Sequence, residues 1–457
     1  MPSKTKWIIV AVVIVAIVAA LAVYLFIAQD KERSSREREN KPVSLAKEIK
    51  KLNAKQKWSN YADELGGTPP EPGTNDVREY VKLKMNRDLL TKSFDLGERY
   101  LLRNQKPAGN FNYMYDWVAK KMVDQDEQVR QAGALWGIAL CYQYRPSSEA
   151  KAALDKGLKF FFNSSKSGRD GSLLIAYGSE TVLRTGTVAL VALTIIDYLI
   201  SDQTLSPEYK QELTSKLDGY LKFLVSLQLP NGRFAQSYNL SDGKHSDHSS
   251  PYFDGETLLT LCKAARQLNR TDLVPIIEKA AKATATYYTI QAWRKDKDSK
   301  LTKGFFQWGS MAFVEYYQAK WKNYETYADV TMALNWWMIH THKSLKVKRN
   351  HAYALEGLIS AYRIAKMRND TAAMVDLLYT IDRSFYKLTS WQIGSPLANQ
   401  NAYLRDHPTD DPLAVGGVMN AERPGIPRPG DTQHELRIDV TQHQMHAVAM
   451  ALQYVYR

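Results

Sequence analysis

Three stretches of the sequence hold residues suited to acid–base chemistry. Tyr252-Phe253-Asp254-Gly255-Glu256 opens an otherwise apolar run, LLTLCKAA, and offers two carboxylates. On a helix, side chains at i and i+2 diverge by about 200°, so both acids face one substrate only if Asp254 still lies in the preceding loop. The structural alternative is Asp254 as an N-cap and Glu256 as a first-turn acid favoured by the helix dipole. In RIDVTQHQMH, Asp439 and His443 are spaced i, i+4 and His446 is seven residues from Asp439, which puts a carboxylate and two imidazoles on one helical face. Such a trio serves a histidine base oriented by a carboxylate, a partial metal site, or a tie between the last helix and the loop before it. The D-x-x-x-H-x-x-H spacing is no fixed metal signature, so neither a metal nor a cofactor is assigned. Glu180 and Arg184 in YGSETVLRTG head the apolar run VALVALTIIDYLI, either as cleft lining or as a local ion pair. Asp329 in YADVTMALNWW and Glu356 in HAYALEGL carry the same two readings.

All nine histidines, from His245 to His446, lie in the second half of the chain, so any histidine chemistry belongs there. HSDHSS, around His245 and His248, reads as a lid or as a solvated loop. The 27 Tyr and 10 Trp outnumber the 13 Phe, and amphipathic rings suit sugars by offering a flat apolar face and a polar handle. Tyr252 at the opening of an apolar helix, Trp308 in a loop and Trp336 on a helix are candidate sugar contacts, with Arg437 as a cation for an anionic group. Wedging between helices is the other use of such rings.

These side chains must be positioned by helices. Apolar residues recur with helical spacing over 76–102, with Asn75 as the candidate cap, and over 127–144, 149–163, 179–199, 207–228, 255–268, 272–293, 313–321, 327–342, 352–367, 370–388 and 439–456. Alternating runs typical of a sheet are missing. The fold class is therefore all-α. Helices rich in small residues (RQAGALWGIAL, RTGTVALVALTIID, DGETLLTLCKAA, HAYALEGLISAYR, DVTQHQMHAVAMAL) alternate with longer, more charged ones (SSEAKAALDKGLKFFF, SPEYKQELTSKLDGYLKFLVSLQ, NDTAAMVDLLYTIDRSFY). Small residues let helices approach closely, as an inner ring requires, and the charged partners suit an outer, solvated ring. Gly/aromatic segments such as LPNGRFAQSYN and KGFFQWGS read as the connecting loops.

LPNGRFAQSY with the downstream SSPYFDGETLLTLCKAARQLNRTDL, and the terminal RIDVTQHQMHAVAMAL, resemble the six-hairpin (α/α)6 toroids, which include many glycosidases, sugar epimerases and polysaccharide lyases. The resemblance spans most of 75–457 in pattern and these short blocks in letters. It implies a central cleft lined by inner-helix N-termini and the loops before them. It also implies a carbohydrate-active enzyme whose acid–base groups are Asp254, Glu256, Asp439 and His443, with Tyr252, Glu180, Arg184, Trp308, Trp336 and Arg437 as substrate contacts and a polysaccharide or oligosaccharide as substrate. With a uronate polymer, His443 or Tyr252 is placed to abstract the C5 proton and Arg184 or Arg437 to neutralise the carboxylate. A non-catalytic glycan- or protein-binding subunit of an envelope polysaccharide complex is the competing expectation, since a fold does not certify activity.

Before the helices, residues 7–28 read WIIVAVVIVAIVAALAVYLFIA, from Trp7 to Ala28, without a charge, enough at about 1.5 Å per residue to cross a hydrocarbon core of about 30 Å. The expected organisation is a cytoplasmic tail (1–6), a transmembrane anchor in the lipid bilayer (7–28), a polar stalk (29–74) and the helical toroid (75–457), with the toroid periplasmic or extracellular. The chain carries 61 Lys and Arg against 48 Asp and Glu, and more than half of the +13 excess falls within residues 1–60. With no basic helix in the body, nucleic acid is excluded as a partner. The chain contains no Walker A, G-x-G-x-x-G, H-E-x-x-H, G-x-S-x-G or kinase signature, which removes the nucleotide-driven, zinc-peptidase and α/β-hydrolase classes. Cys141 and Cys262, each in an apolar stretch, read as core residues.

Overall fold

The computed structural model describes residues 44–58, 61–425 and 434–457. Twelve long helices build its body: α1 (Arg87–Arg103), α2 (Gln128–Tyr144), α3 (Ser148–Asn163), α4 (Thr185–Ser201), α5 (Pro207–Ser226), α6 (Pro251–Gln267), α7 (Val274–Ala285), α8 (Lys300–Gln318), α9 (Tyr324–Trp336), α10 (Ala352–Met367), α11 (Thr371–Ser390) and α12 (Ile438–Tyr454). The even-numbered helices form a closed inner ring, α2 to α4 to α6 to α8 to α10 to α12 and back to α2. Each odd-numbered helix backs one of them from outside, α1 behind α12 and the others behind the even helix that precedes them.

Composition decides which ring a helix joins. In α4 every residue from Thr185 to Tyr198 is buried, so no face needs to be polar. The outer α5 buries one stripe (Leu213, Leu217, Tyr220, Leu221, Leu224) and leaves its charges in water. Side-chain caps set several starts: Asn86 accepts from the Leu89 amide, Ser147 from Ala150, Ser206 from Tyr209 and Asp370 from Ala373. Small residues set the spacing of the inner ring. A Cβ on Gly255 of α6 would lie 2.4 Å from Cβ of Trp308 on α8, so only glycine lets these two helices meet.

Short strands order the loops at one end of the ring. β1 (Met114–Asp116) pairs with β2 (Lys121–Val123) and with β8 (Glu435–Arg437), β3 (Ser165–Ser167) with β4 (Leu173–Ile175), and β6 (Ser237–Asn239) with β5 (Val182–Arg184) and β7 (Lys244–His245). Strand β5 runs into α4 and β8 into α12, so Arg184 and Arg437 each stand at the head of an inner helix.

Several expectations shift in detail. The first helical pattern divides at Lys82, whose φ is +52°, and the cap of α1 is Asn86 rather than Asn75. KGFFQWGS is not a loop: α8 begins at Lys300, capped by Ser299, and Phe305, Phe306 and Trp308 are buried on it. The glycines of that segment serve close packing rather than a turn, since a Cβ on Gly304 would meet Cγ of Pro251 at 2.8 Å. Glu180 and Arg184 do not share a helix, because Glu180 lies in a turn and Arg184 ends β5.

The stretch assigned to the membrane anchor, 7–28, lies outside the described residues. Among the described residues no helix is long and apolar enough to cross a membrane. Within the stretch read as stalk, Leu45–Asn53 is a helix that buries Leu45 and Ile49. It lies against α9, with Asn53 Nδ2 donating to the Asp329 carbonyl at 3.1 Å.

Candidate active site

The N-terminal ends of the inner helices open into a cavity of about 590 Å³, to which all six contribute. Glu127 and Arg130 stand at the head of α2, Tyr252 and Glu256 at that of α6, Lys303 and Trp308 on α8, Tyr353 on α10, and Asp439 and His443 on α12. Arg349, Asn350 and Asn420 close the cavity from the loops.

Glu256 is 3 % exposed, and its Oε2 has no hydrogen-bond partner among the described residues. Room for the carboxyl exists because its neighbour on α4 is Gly186, where a Cβ would lie 2.3 Å from Oε2. Burial, and secondarily the charge of Glu127, push Glu256 up to about 8. At neutral pH the group therefore keeps its proton on the cleft wall.

Across the ring, on α12, the acid–base group is a histidine. His443 Nδ1 lies 2.9 Å from Oε1 of Glu356, and His446 Nδ1 lies 3.0 Å from the same oxygen. Glu356 sits on α10 with no exposure. Burial alone would raise its pKa, but the two histidines hold it below the usual carboxylate value. Burial would likewise depress His443, yet the Glu356 carboxylate, its hydrogen bond and Asp439 raise the imidazole above its ordinary value. With Nδ1–H held by Glu356, Nε2 carries the lone pair of the neutral ring and is the nitrogen left for a substrate. The Trp308 ring packs edge-on to His443 at 6.1 Å, giving the base an apolar neighbour.

Asp439, read from the sequence as the orienting partner of His443, is instead bound to arginine. Arg437 Nε and Nη2 reach its two oxygens at 3.0 and 2.5 Å, and Arg130 Nε lies 3.5 Å away. Burial works against ionisation, but Arg437 and Arg130 hold the carboxyl below its usual range. The i, i+4 spacing faces Asp439 and His443 the same way, but ring closure brings Glu356 of α10 closer to the imidazole. Asp439, His443 and His446 do not converge as a metal site, and among the described residues no cluster of three or more His, Cys, Asp or Glu is placed to hold an ion.

The remaining candidates divide. Tyr252, 51 % exposed, and the buried Trp308 line the cavity with Arg437. Asp254 does not: it is wholly buried, accepting from the Phe234 amide at 2.7 Å and from the Tyr288 hydroxyl, which fastens α6 to the preceding loop and to the helix behind it. Burial pushes it to about 7 against those two hydrogen bonds. Asp254→Ala strands both donors, and we expect a loss of about 2–4 kcal/mol in denaturant unfolding, whereas an unchanged midpoint contradicts the structural role. Glu180 is exposed and bonded to Gln128, and Arg184 is exposed at the head of α4, so neither lines the cavity. Trp336 lies on the outer helix α9 and donates Nε1–H to the Lys57 carbonyl at 2.9 Å. Asp329, on the same outer helix, pairs with Arg368 at 2.7 Å. His245 and His248 are exposed and away from the cavity lining.

Two concentric rings of six helices, with a polar cleft at the inner N-termini, decide the architecture. The chain has the six-hairpin (α/α)6 toroid fold. The toroid is similar to a sugar epimerase from a ruminal bacterium (TM-score 0.56, 9 % identity, 80 % of this chain and 98 % of that one). It is also similar to cellobiose 2-epimerase from Bacillus thermoamylovorans (0.56, 9 %, 83 % and 100 %) and to the family 76 α-mannanase of Bacteroides thetaiotaomicron (0.54, 10 %, 80 % and 95 %). No family model matches the toroid's sequence, and no curated protein matches it. At such identities the likeness establishes the fold, and the chemistry rests on the cleft's own residues.

Proposed function

We propose that the toroid is a carbohydrate-active enzyme that cleaves or remodels a glycan by acid–base catalysis in the central cleft. The observation that carries this reading is a buried Glu256, its Oε2 without a partner among the described residues, and a Glu356-backed His443 on the walls of one cavity. Such catalysis needs one group that gives a proton and another that takes one, each held in place on the cleft wall. Glu256 donates to a leaving or rearranging oxygen, and His443 Nε2 accepts a proton from the substrate. Asp439 is poorly suited to be a nucleophile or base, because Arg437 occupies both its oxygens. That favours proton transfer, as in a lyase or epimerase, over two-carboxylate hydrolysis. Trp308, Tyr252 and Tyr353 supply ring faces for sugar, and sugar epimerases and a mannanase share the fold.

The uncharged run from Trp7 to Ala28 supports a bilayer anchor, and with it a toroid outside the cytosol that works on a cell-envelope polysaccharide. Full-length protein in detergent, incubated with a panel of neutral and acidic glycans, is expected to turn over at least one, with products read by mass spectrometry and NMR. Binding without turnover on every glycan contradicts the enzyme and returns the cleft to a binding role. Recovery of the chain in the soluble fraction of its cells contradicts the anchor.

A further inference from the structure

Behind the cleft lies a second opening. At the opposite, C-terminal end of the inner ring a cavity of about 250 Å³ is lined by five of the six inner helices, and its wall includes His446 of α12 but not His443. His446 in turn does not line the front cavity. The floor between the two is aromatic. Trp136 packs edge-on to the His446 ring at 4.7 Å and lies 5.6 Å from the Trp308 ring, with its Nε1–H fixed on Asp197 at 2.8 Å. One wholly buried carboxylate spans this floor. Oε1 of Glu356 meets Nδ1 of His443 at 2.9 Å from the cleft side and Nδ1 of His446 at 3.0 Å from the rear, while Oε2 has no hydrogen-bond partner among the described residues. A carboxylate only accepts, so both imidazoles donate to it. Burial opposes ionisation of Glu356, and His443 and His446 together overcome it. The other charges at the rear cavity are engaged elsewhere: Lys263 with Asp197, Arg266 with Glu315, and Arg363 over the Tyr454 ring. On the cleft side Asp439 and Arg437, which also act on His443, are bound to each other. Among the described residues Glu356 is the one carboxylate bonded to either imidazole.

We propose that His446 is a positioning residue for the base: from behind the cleft floor its Nδ1–H keeps Glu356 an acceptor, so that the imidazolium formed on His443 finds a counter-charge. The inference rests on the acid–base reading above and assigns a further residue to that same site. When a substrate proton moves to Nε2 of His443, the bonding electron pair stays on the sugar and the ring becomes a cation with N–H at both nitrogens. With two donors Glu356 stays ionised beside that cation. With His443 as its only donor, the buried carboxylate takes the Nδ1 proton for itself, and the charge pair collapses to a neutral acid and a neutral ring. In that state Nδ1 accepts from the Glu356 O–H and the ring's remaining N–H lies on Nε2. The nitrogen that faces substrate then has no lone pair to offer.

Nitrogen-15 NMR of the full chain in detergent, labelled at histidine and assigned with His443→Gln, tests this at pH 6.5, the ordinary histidine value above which His443 is raised. Wild-type His443 is expected with both nitrogens protonated. His446→Met, which fills the same space without a donor, should show a neutral His443 ring with its lone pair at Nδ1. His446→Asn, whose amide N–H takes the place of Nδ1–H, should restore the imidazolium. If His446→Met does not fold, His446→Gln, whose amide reaches the Nε2 position instead, carries the same contrast with His446→Asn. On the panel glycan that the wild-type protein turns over fastest, the donor-less variant should lower kcat about 10- to 100-fold with KM unchanged. A His443 imidazolium as complete in the donor-less variant as in the wild type, or a kcat loss that His446→Asn shares in full, overturns the positioning role. A wild-type protein that turns over no glycan while the NMR contrast holds overturns the enzyme reading instead and supports the pairing, which separates the two failures.

Discussion

Glu256→Gln is expected to lower turnover by about 10²- to 10⁴-fold, the range that a positioned general acid contributes. The substitution keeps the shape of the side chain beside Gly186 and removes only the transferable proton, so the loss reports chemistry rather than packing. In the wild-type protein the same proton sets an alkaline limb, with activity falling as pH rises through about 8. Stability provides an independent readout. The folded pKa of Glu256 is raised above its usual 4.5, so its contribution to stability is full below that value and is lost as pH rises through about 8. Glutamine has no proton to lose. The two proteins should melt closest together below pH 4.5, and the variant should gain steadily on the wild type as pH rises to about 8, where the wild type comes to carry a buried, unpaired carboxylate. Turnover unchanged by the substitution contradicts Glu256 as the acid.

The second large effect concerns a residue that need not touch substrate. Glu356→Gln removes the negative charge that both His443 and His446 share, from a site with no exposure. Breaking a buried charged pair from one side costs about 3–5 kcal/mol, and unfolding in denaturant should show a loss of that order. The pH dependence of the loss has a defined sign. Glu356 is depressed, so its contribution is present above the usual 4.5 and fades as pH falls below it; His443 is raised, so its contribution is present below the usual 6.5 and fades as pH rises above it. The difference between wild type and variant is therefore largest between these two values. In NMR titrations the His443 imidazole should lose its upward shift in the variant, and the pH–rate limb it governs should move with it. A purely structural glutamate leaves that limb in place.

The ring order was legible because composition and position are physically coupled. A helix buried on all sides, such as α4, needs small and apolar residues throughout, and α5, exposed on one side, needs charge. Heads of inner helices therefore pointed to Tyr252, Glu256, Arg437, Asp439 and His443, which meet in one cavity. Helical spacing alone paired His443 with Asp439, and the real partner, Glu356, lies 87 residues away, where closure of the ring presses α10 against α12. Its signal was present as one acid inside the small-residue run HAYALEGL, but nothing local says what such an acid meets. Asp254 illustrates the opposite case, an acid at the right end of an inner helix whose two oxygens are taken by its own scaffold. Gly304 and Gly309 disguised α8 as a loop, since a glycine needed for close approach and one needed for a turn are written with the same letter. Trp336 was misplaced because an aromatic pair on a helix does not reveal which ring of the toroid that helix joins.

A crystal structure of Glu256→Gln soaked with a glycan that the wild-type protein turns over tests the central claim most directly. The expected result is a sugar ring in the inner-ring cleft beside Trp308, with one of its atoms about 3 Å from residue 256 and another within the same reach of His443 Nε2. A glycan bound elsewhere on the chain, or in the cleft but out of reach of both residues, contradicts it.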